Sequence, residues 1–180
     1  MPYKSRAKEK KMKKVLIAVD DSKASESVVS VFDNLVRPPE EVILLHVERL
    51  EGRSLMIDML GESELSTLKE SLKGTEYKEE LDRKAERVLN HYKRKFEAGG
   101  LIFIRTMVRE GIPSEEIAKV AEEENVELVI VGYSGKKGIN RLITGCVSKE
   151  VERSSKAPVI VAREKAEEEP YGLREAEVIS

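Results

Sequence analysis

Five short apolar runs, separated by segments of helical periodicity, constrain the fold of this chain most strongly. They are rich in Val and Ile and span residues 15–19, 42–47, 101–104, 128–131 and 159–161. Such runs are typical of strands buried on both faces. The alternation of strand and helix predicts an α/β fold: a single, Rossmann-like domain with an open five-stranded parallel sheet and helices on both faces.

Helix boundaries follow from the residues between the runs. Ser22 and Ser114 stand where the capping side chains of two helices are expected. Gly99 and Gly100 end a long apolar stripe, and a last helix is expected to begin near Cys146. Residues 48–75 fit this pattern less well. They are expected either to pack back on the domain or to form a partner surface or a flap over a ligand.

Charge divides the chain into three parts. Residues 1–13 form a basic extension, residues 14–163 the domain, and residues 164–180 an acidic tail. Two solvated tails are the simplest interpretation; the alternative is that one tail recruits a protein partner. Across the whole chain, 32 Lys and Arg face 34 Asp and Glu, a net charge of −2, so no nucleic-acid partner is expected.

The expected compartment is the cytoplasm. A single cysteine makes no internal disulfide, and no apolar signal-peptide core follows the basic N-terminus. No apolar run approaches the roughly 20 residues of a membrane span. We therefore expect a soluble protein without a membrane partner.

A glycine-rich loop follows the fourth apolar run, where open parallel sheets bind their ligands. Its Gly132, Gly135 and Gly145 match neither the P-loop nor the dinucleotide-binding motif. Glycines nevertheless let backbone N–H groups approach an anion, and a helix starting after Gly145 would direct its N–H groups at a phosphate. The loop alone is consistent with phosphate binding and equally with a purely structural role.

The spacing Gly132-x2-Gly135-x9-Gly145 resembles the nucleotide-binding signature of the universal stress protein family. Three further segments resemble that family in the same order along the chain: 19–22 (VDDS), 44–47 (LLHV) and 108–113 (VREGIP). Together these segments cover about residues 14–163. Cys146 departs from the family pattern, which has Ser or Thr there, and a thiol is the weaker hydrogen-bond donor.

The resemblance implies binding of ATP, or of ADP or AMP, with Mg²⁺ carried by the phosphates. It places Asp20, as a buried carboxylate, and Val47 against the nucleoside, with Ala18 nearby. Val131 and Gly132 match positions beside the ribose. The phosphate cradle matches Gly135, Gly145, Cys146, Val147 and Ser148.

The function expected from this resemblance is regulatory, through nucleotide state and a protein partner. A homodimer is expected through the last strand, Ala157 to Arg163. No general base is evident, no catalytic residue is assigned, and one cysteine with two histidines makes no metal site. The alternatives are a dimeric interaction module of the same family that binds no nucleotide, and a slow ATPase or nucleotide-transferring enzyme.

Overall fold

Strands and helices alternate along the described part of the chain. The computed structural model describes residues 11–49, 61–101, 103–133 and 147–163. The strands are β1 Lys14–Ala18, β2 Glu41–Glu48, β3 Ile104–Glu110, β4 Leu128–Gly132 and β5 Val159–Ala162. The helices are α1 Lys23–Leu35, α2 Glu62–Leu72, α3 Glu76–Ala98, α4 Pro113–Glu123 and α5 Val147–Ser154.

The five strands form one parallel sheet in the order β3-β2-β1-β4-β5. This confirms the predicted fold class. The chain adds β2 and β3 on one side of β1 and then returns to add β4 and β5 on the other side. The strand order therefore reverses between β1 and β4, and this is the position where open α/β sheets place their ligands.

Each face of the sheet has its own apolar core, which is why the strand sequences are continuously apolar. Helices α1 and α3 cover one face, where Phe32 and Phe96 meet edge to face with ring centroids 5.3 Å apart. Helices α4 and α5 cover the other face, where Val120 and Val151 are fully buried. In β1, Val15 to Ile17 are inaccessible to solvent from either side.

The predicted position of the third strand was wrong. The apolar run 101–104 overlaps the strand only at Ile104, because the strand occupies Ile104–Glu110. Leu101 packs against the α1/α3 core, whereas the side chain of Phe103 is 70% exposed. β3 is an edge strand and is only partly covered, so its own sequence does not have to be continuously apolar.

Of the two predicted serine caps, the position of Ser22 is confirmed and that of Ser114 was wrong. Ser22 occupies the N-cap position of α1, but its hydroxyl donates to Asp20 Oδ1 instead of capping the helix. Helix α4 begins with Pro113 after Ile112 at the N-cap, and Ser114 bonds to another helix. The glycine stop of α3 is confirmed, with Gly99 as the C-cap.

The segment 48–75 contains α2, which is attached to the end of β3 by a bond from Lys69 Nζ to the Glu110 carbonyl at 2.8 Å. Residues 50–60 of this segment lie outside the described residues, as do residues 1–10 of the basic extension and the whole acidic tail. Among the described helices, none combines the length and apolar character of a membrane span.

An ion-pair network joins the amino ends of three strands to the end of α4. Arg105 donates to both carboxylate oxygens of Glu124, at 2.6 and 3.1 Å, and to Glu41 at 2.8 Å. Lys14 Nζ adds a contact to Glu124 at 3.2 Å. The hydrogen bonds from Arg105 are the main cause that lowers the pKa of Glu124 from 4.5 to about 2.

We predict that Glu124→Gln lowers the free energy of unfolding at pH 7 by about 1 kcal/mol, as for a partly exposed bidentate pair. Because the pKa of Glu124 is lowered by folding, its contribution is complete above pH 4.5 and is lost as pH falls towards 2. Urea unfolding followed by circular dichroism from pH 7 to pH 2.5 measures this. Glu86→Gln, at an exposed position, is the control. A difference in unfolding free energy between the wild type and Glu124→Gln that does not change with pH would contradict the role given to the Glu124 carboxylate.

Candidate functional site

Three predicted site residues lie on adjacent strands and on one face of the sheet. In the strand register Ala18 pairs with Leu45 of β2 and with Val131 of β4, and Val47 lies two residues beyond Leu45. Ala18, Val47 and Val131 all pack towards the α4/α5 core. Together they line the region at the carboxyl ends of β2, β1 and β4, which is where open α/β sheets have their ligand crevice.

The backbone of Val47 faces the open end of β1. The N–H of Val19 donates to the carbonyl of Leu45 at 2.9 Å, so the peptide groups of Leu45 face β1. Peptide groups alternate sides along a strand, and those of Val47 therefore face the same way, beyond the last pairing of β1. The buried His46 holds this region together, because its Nδ1 lies 2.9 Å from the Val19 carbonyl oxygen.

Asp20 is exposed, so the expectation of a buried carboxylate was wrong. Its Oδ1 accepts three hydrogen bonds: from Ser22 N at 2.9 Å, Ser22 Oγ at 2.5 Å and Ser25 Oγ at 2.7 Å. These bonds shape the turn into α1. Within the described ranges Oδ2 receives no hydrogen bond, which leaves one acceptor of Asp20 open at the rim of the crevice.

Gly132 is required by packing against α1. A Cβ built on it would lie 2.6 Å from the carbonyl oxygen of Ala24 and 3.1 Å from the backbone nitrogen of Ser25. The end of β4 therefore approaches the first turn of α1 more closely than any side chain permits. The side of Gly132 that a Cβ would occupy points at α1, opposite to the side chain of Val131.

Helix α5 begins beside the crevice and is fixed there by its contacts with α4. Val147 packs against the α4/α5 core, and Ser148 and Val151 are buried. Ser114 Oγ donates to Glu150 Oε2 at 2.6 Å, which ties the first turn of α5 to the start of α4. Of the predicted phosphate cradle, Gly135, Gly145 and Cys146 lie outside the described residues.

The comparisons with known proteins agree with this geometry. The sequence profile of the Universal stress protein family matches residues 11–163. The chain belongs to the universal stress protein family. The universal stress protein MJ0577 of Methanocaldococcus jannaschii is 33% identical over 159 residues, which cover 85% of this chain and 96% of that protein.

Solved structures of the universal stress protein family share the fold. The structure of MJ0577 matches with a TM-score of 0.62 and 29% identity, covering 86% of this chain and 98% of that one. A universal stress protein in complex with cAMP matches with a TM-score of 0.60 and 16% identity, over 87% and 100% of the two chains. An Arabidopsis thaliana family protein with AMP bound has a TM-score of 0.55 and 16% identity, over 89% and 97%.

The structure brings together Ala18, Asp20, Val47, Val131 and Gly132 from the predicted set, with Val147 and Ser148 on the adjoining helix. Sequence reasoning missed Ser25, since a serine within an amphipathic helix carries no signal of its contact with Asp20. It also missed Tyr133, whose ring lies under the guanidinium of Arg163. The described residues contain no group of three side chains able to hold a metal ion.

Two open grooves lie away from this crevice. One, of about 450 Å³, runs along the outer face of α3 and is lined by Arg87, His91 and Arg94 among others. The other, of about 460 Å³, lies beside the end of β3 between Lys69 and Lys119. Both grooves are lined mostly by charged side chains.

We predict that Gly132→Ala lowers the free energy of unfolding by about 1–3 kcal/mol, the usual cost of forcing extra atoms into a packed site. The clash is with backbone atoms of α1, which cannot rotate away as a side chain would. Urea unfolding followed by circular dichroism measures the loss. Gly99→Ala is the matched control, because a Cβ there meets no atom closer than 3.4 Å. Equal stability of the two variants would contradict the close approach.

Proposed function

We propose that this universal stress protein binds an adenine nucleotide, ATP or its shorter forms ADP and AMP, in the crevice at the carboxyl ends of β2, β1 and β4. The observation that carries the proposal is the convergence of Ala18, Val47 and Val131 on one face, next to the start of α5. The family members solved with cAMP and with AMP support an adenine nucleotide as the ligand class.

The adenine base is proposed to lie against Val47. The N–H and carbonyl groups of this residue face the open end of β1, where they can pair with the donor and acceptor edge of adenine. The half-buried side chains of Ala18 and Val47 supply an apolar surface for the flat ring. Because these contacts come from the backbone, they recognise the base irrespective of which side chain occupies position 47.

The ribose is proposed to bind at Asp20 and at the backbone of Gly132. Asp20 Oδ2 is an open acceptor for a ribose hydroxyl, while Oδ1 is committed to the turn before α1. The absence of a side chain on Gly132 brings β4 and the first turn of α1 together beside this position. The turn therefore orients the carboxylate before any ligand arrives, and such preorganisation favours binding.

The phosphates are proposed to lie at the start of α5. The N-terminus of a helix attracts anions through its free N–H groups and its partial positive charge. Ser148 lies in the first turn of α5, and Gly135, Gly145, Cys146 and Val147 complete the cradle by their match to the family pattern. Mg²⁺ would arrive with the phosphates, which are its usual ligands together with water.

The proposed role is regulatory and cytoplasmic, with the nucleotide state controlling the choice of a protein partner. No general base for phosphate hydrolysis is assigned among the described side chains around the crevice: the free oxygen of Asp20 is proposed to bind the ribose, and His46 bonds to Val19. Turnover is therefore not part of the proposal.

A homodimer through β5 is proposed as the assembled form. β5 is a short edge strand whose Val159, Ile160 and Val161 are only half-buried. Tyr133 N–H donates to the carbonyl of Ala162, and Val129 N–H to that of Pro158, so the peptide groups of Val159 and Val161 face outwards. No described strand pairs with this edge, and an edge of this kind is suited to pairing with a second copy.

The nucleotide proposal is tested by isothermal titration of the purified, nucleotide-free protein with ATP and Mg²⁺. We predict saturable binding of ATP to the wild type and at least a tenfold rise in Kd for Gly145→Val, which corresponds to about 1.4 kcal/mol of binding free energy. The reason is that a side chain at position 145 of the proposed cradle would block the close approach of the phosphates. Gly99→Val is the matched control and should bind as the wild type does. Absence of binding to a folded wild type would favour the interaction module.

The dimer proposal is tested by Val161→Pro, which removes one outward N–H without removing a bond to β4. We predict that light scattering gives the mass of two chains for the wild type and a shift towards one chain for the variant. Circular dichroism checks that the variant is folded. A wild type with the mass of one chain would contradict pairing through β5.

A further inference from the structure

Tyr133 and Arg163 form a pair at the carboxyl ends of β4 and β5. The guanidinium carbon of Arg163 lies 4.6 Å from the centroid of the Tyr133 ring, within the range of a cation–π contact. The N–H of Tyr133 donates to the carbonyl of Ala162 at 2.7 Å, so the two residues continue the pairing of their strands. The ring therefore limits the directions in which the guanidinium points.

The pair lies on the α4/α5 side of the sheet. Along β4, Val129 and Val131 pack towards α4 and α5, while Gly132 turns towards α1. Side chains alternate between faces, so Tyr133 returns to the α4/α5 side. In β5, Val161 packs towards α4 and α5, and Ala162 packs towards α1 and α3. By the same alternation, the following Arg163 lies on the α4/α5 side. This is the side on which α5 begins, at the same end of the sheet.

Among the described residues, no carboxylate neutralises the positive charge of Arg163. No carboxylate of the described residues lies within ion-pair distance of it, and its side chain is exposed. Arg105 and Arg109, by contrast, are each paired with a glutamate. Within the described part of the chain, Arg163 is thus an oriented guanidinium without a carboxylate partner, on the side and at the end of the sheet where α5 begins, and a helix N-terminus attracts anions.

We propose that Arg163, positioned by Tyr133, binds the phosphates of the nucleotide and sets the preference for ligands with more phosphate groups. This inference rests on the proposed nucleotide site. A guanidinium offers paired N–H donors that match two oxygens of a phosphate, and its charge adds an attraction that grows with the charge of the ligand. The base and ribose contacts, by contrast, are the same for adenosine and ATP.

The test compares ATP with adenosine, since adenosine keeps the base and ribose and has no phosphate. Titration of Arg163→Met should show about a tenfold rise in Kd for ATP, the loss expected for one charge-assisted contact, and less than a twofold change for adenosine. Arg163→Lys keeps the charge but loses the paired N–H donors of the guanidinium. Its ATP affinity should lie between those of the wild type and of Arg163→Met. Arg153→Met, at the far end of α5, is the matched control and should leave both affinities unchanged.

Tyr133 variants separate positioning from simple packing. Tyr133→Phe keeps the ring and should retain the ATP affinity. Tyr133→Leu should raise the Kd for ATP about threefold and leave the Kd for adenosine unchanged. Melting temperature and mass by light scattering are recorded for every variant, so that unfolding or loss of a dimer is recognised.

The outcomes distinguish this inference from the function on which it rests. If the wild type binds neither ATP nor adenosine, both proposals fail. If the wild type binds ATP and Arg163→Met binds it equally well, only the role of Arg163 is overturned. Equal weakening of ATP and adenosine binding in Arg163→Met would also overturn the role of Arg163, because this result would show a structural effect on the whole crevice.

Discussion

The position of β1 at the centre of the sheet is the constraint on which the rest of the structure depends. β1 pairs with β2 on one side and β4 on the other, and its central residues are sealed from solvent on both faces. It is also short and ends its pairing at Ala18, while β2 continues to Glu48. The central strand stops before its neighbour, so among the described residues the peptide groups of Val47 have no strand partner on the side of β1.

A buried ion pair fixes the end of β2 that borders this crevice. The side chain of Glu48 is almost fully buried and meets Lys78 Nζ at 2.7 Å, and Lys78 also contacts Asp82 and Glu110. Burial raises the pKa of Glu48 despite this pairing. Lys78, at the start of α3, therefore contacts carboxylates from β2, β3 and its own helix. Since removing one partner of a buried pair leaves an uncompensated charge, this contact favours a single position for Val47.

The sequence predicted most of the architecture because burial on both faces leaves a continuous apolar signal. The sequence prediction failed at β3, because an edge strand does not have to be apolar on both faces. The apolar run 101–104 was predicted as the strand, although it overlaps β3 only at Ile104. The prediction also misassigned Ser114, because a serine at the start of a helix gives the same local signal whether it caps that helix or bonds to Glu150 of another. Contacts between distant segments leave no local pattern.

The site residues were assigned through the resemblance to the family, and their roles as ligand contacts remain predictions. The resemblance assigned Val47 and Val131 to the nucleoside, and the strand register brings the two residues onto one face. Gly132 was chosen as a ligand residue, whereas its close approach to α1 supplies a separate, structural reason for glycine. Asp20 was expected to be buried, but the serines that hold it lie at the surface. Arg163 was assigned only to the dimer strand, because its contact with Tyr133 joins residues 30 positions apart.

The central claim, that an adenine nucleotide occupies the crevice beside Val47, is tested most directly by following backbone amide resonances during titration with ATP and Mg²⁺. The account predicts the largest shifts at Ala18, Val47, Val131 and Ser148, with the amides lining the groove between Lys69 and Lys119 unchanged. Saturable shifts confined to that groove, or to the outer face of α3, would contradict it.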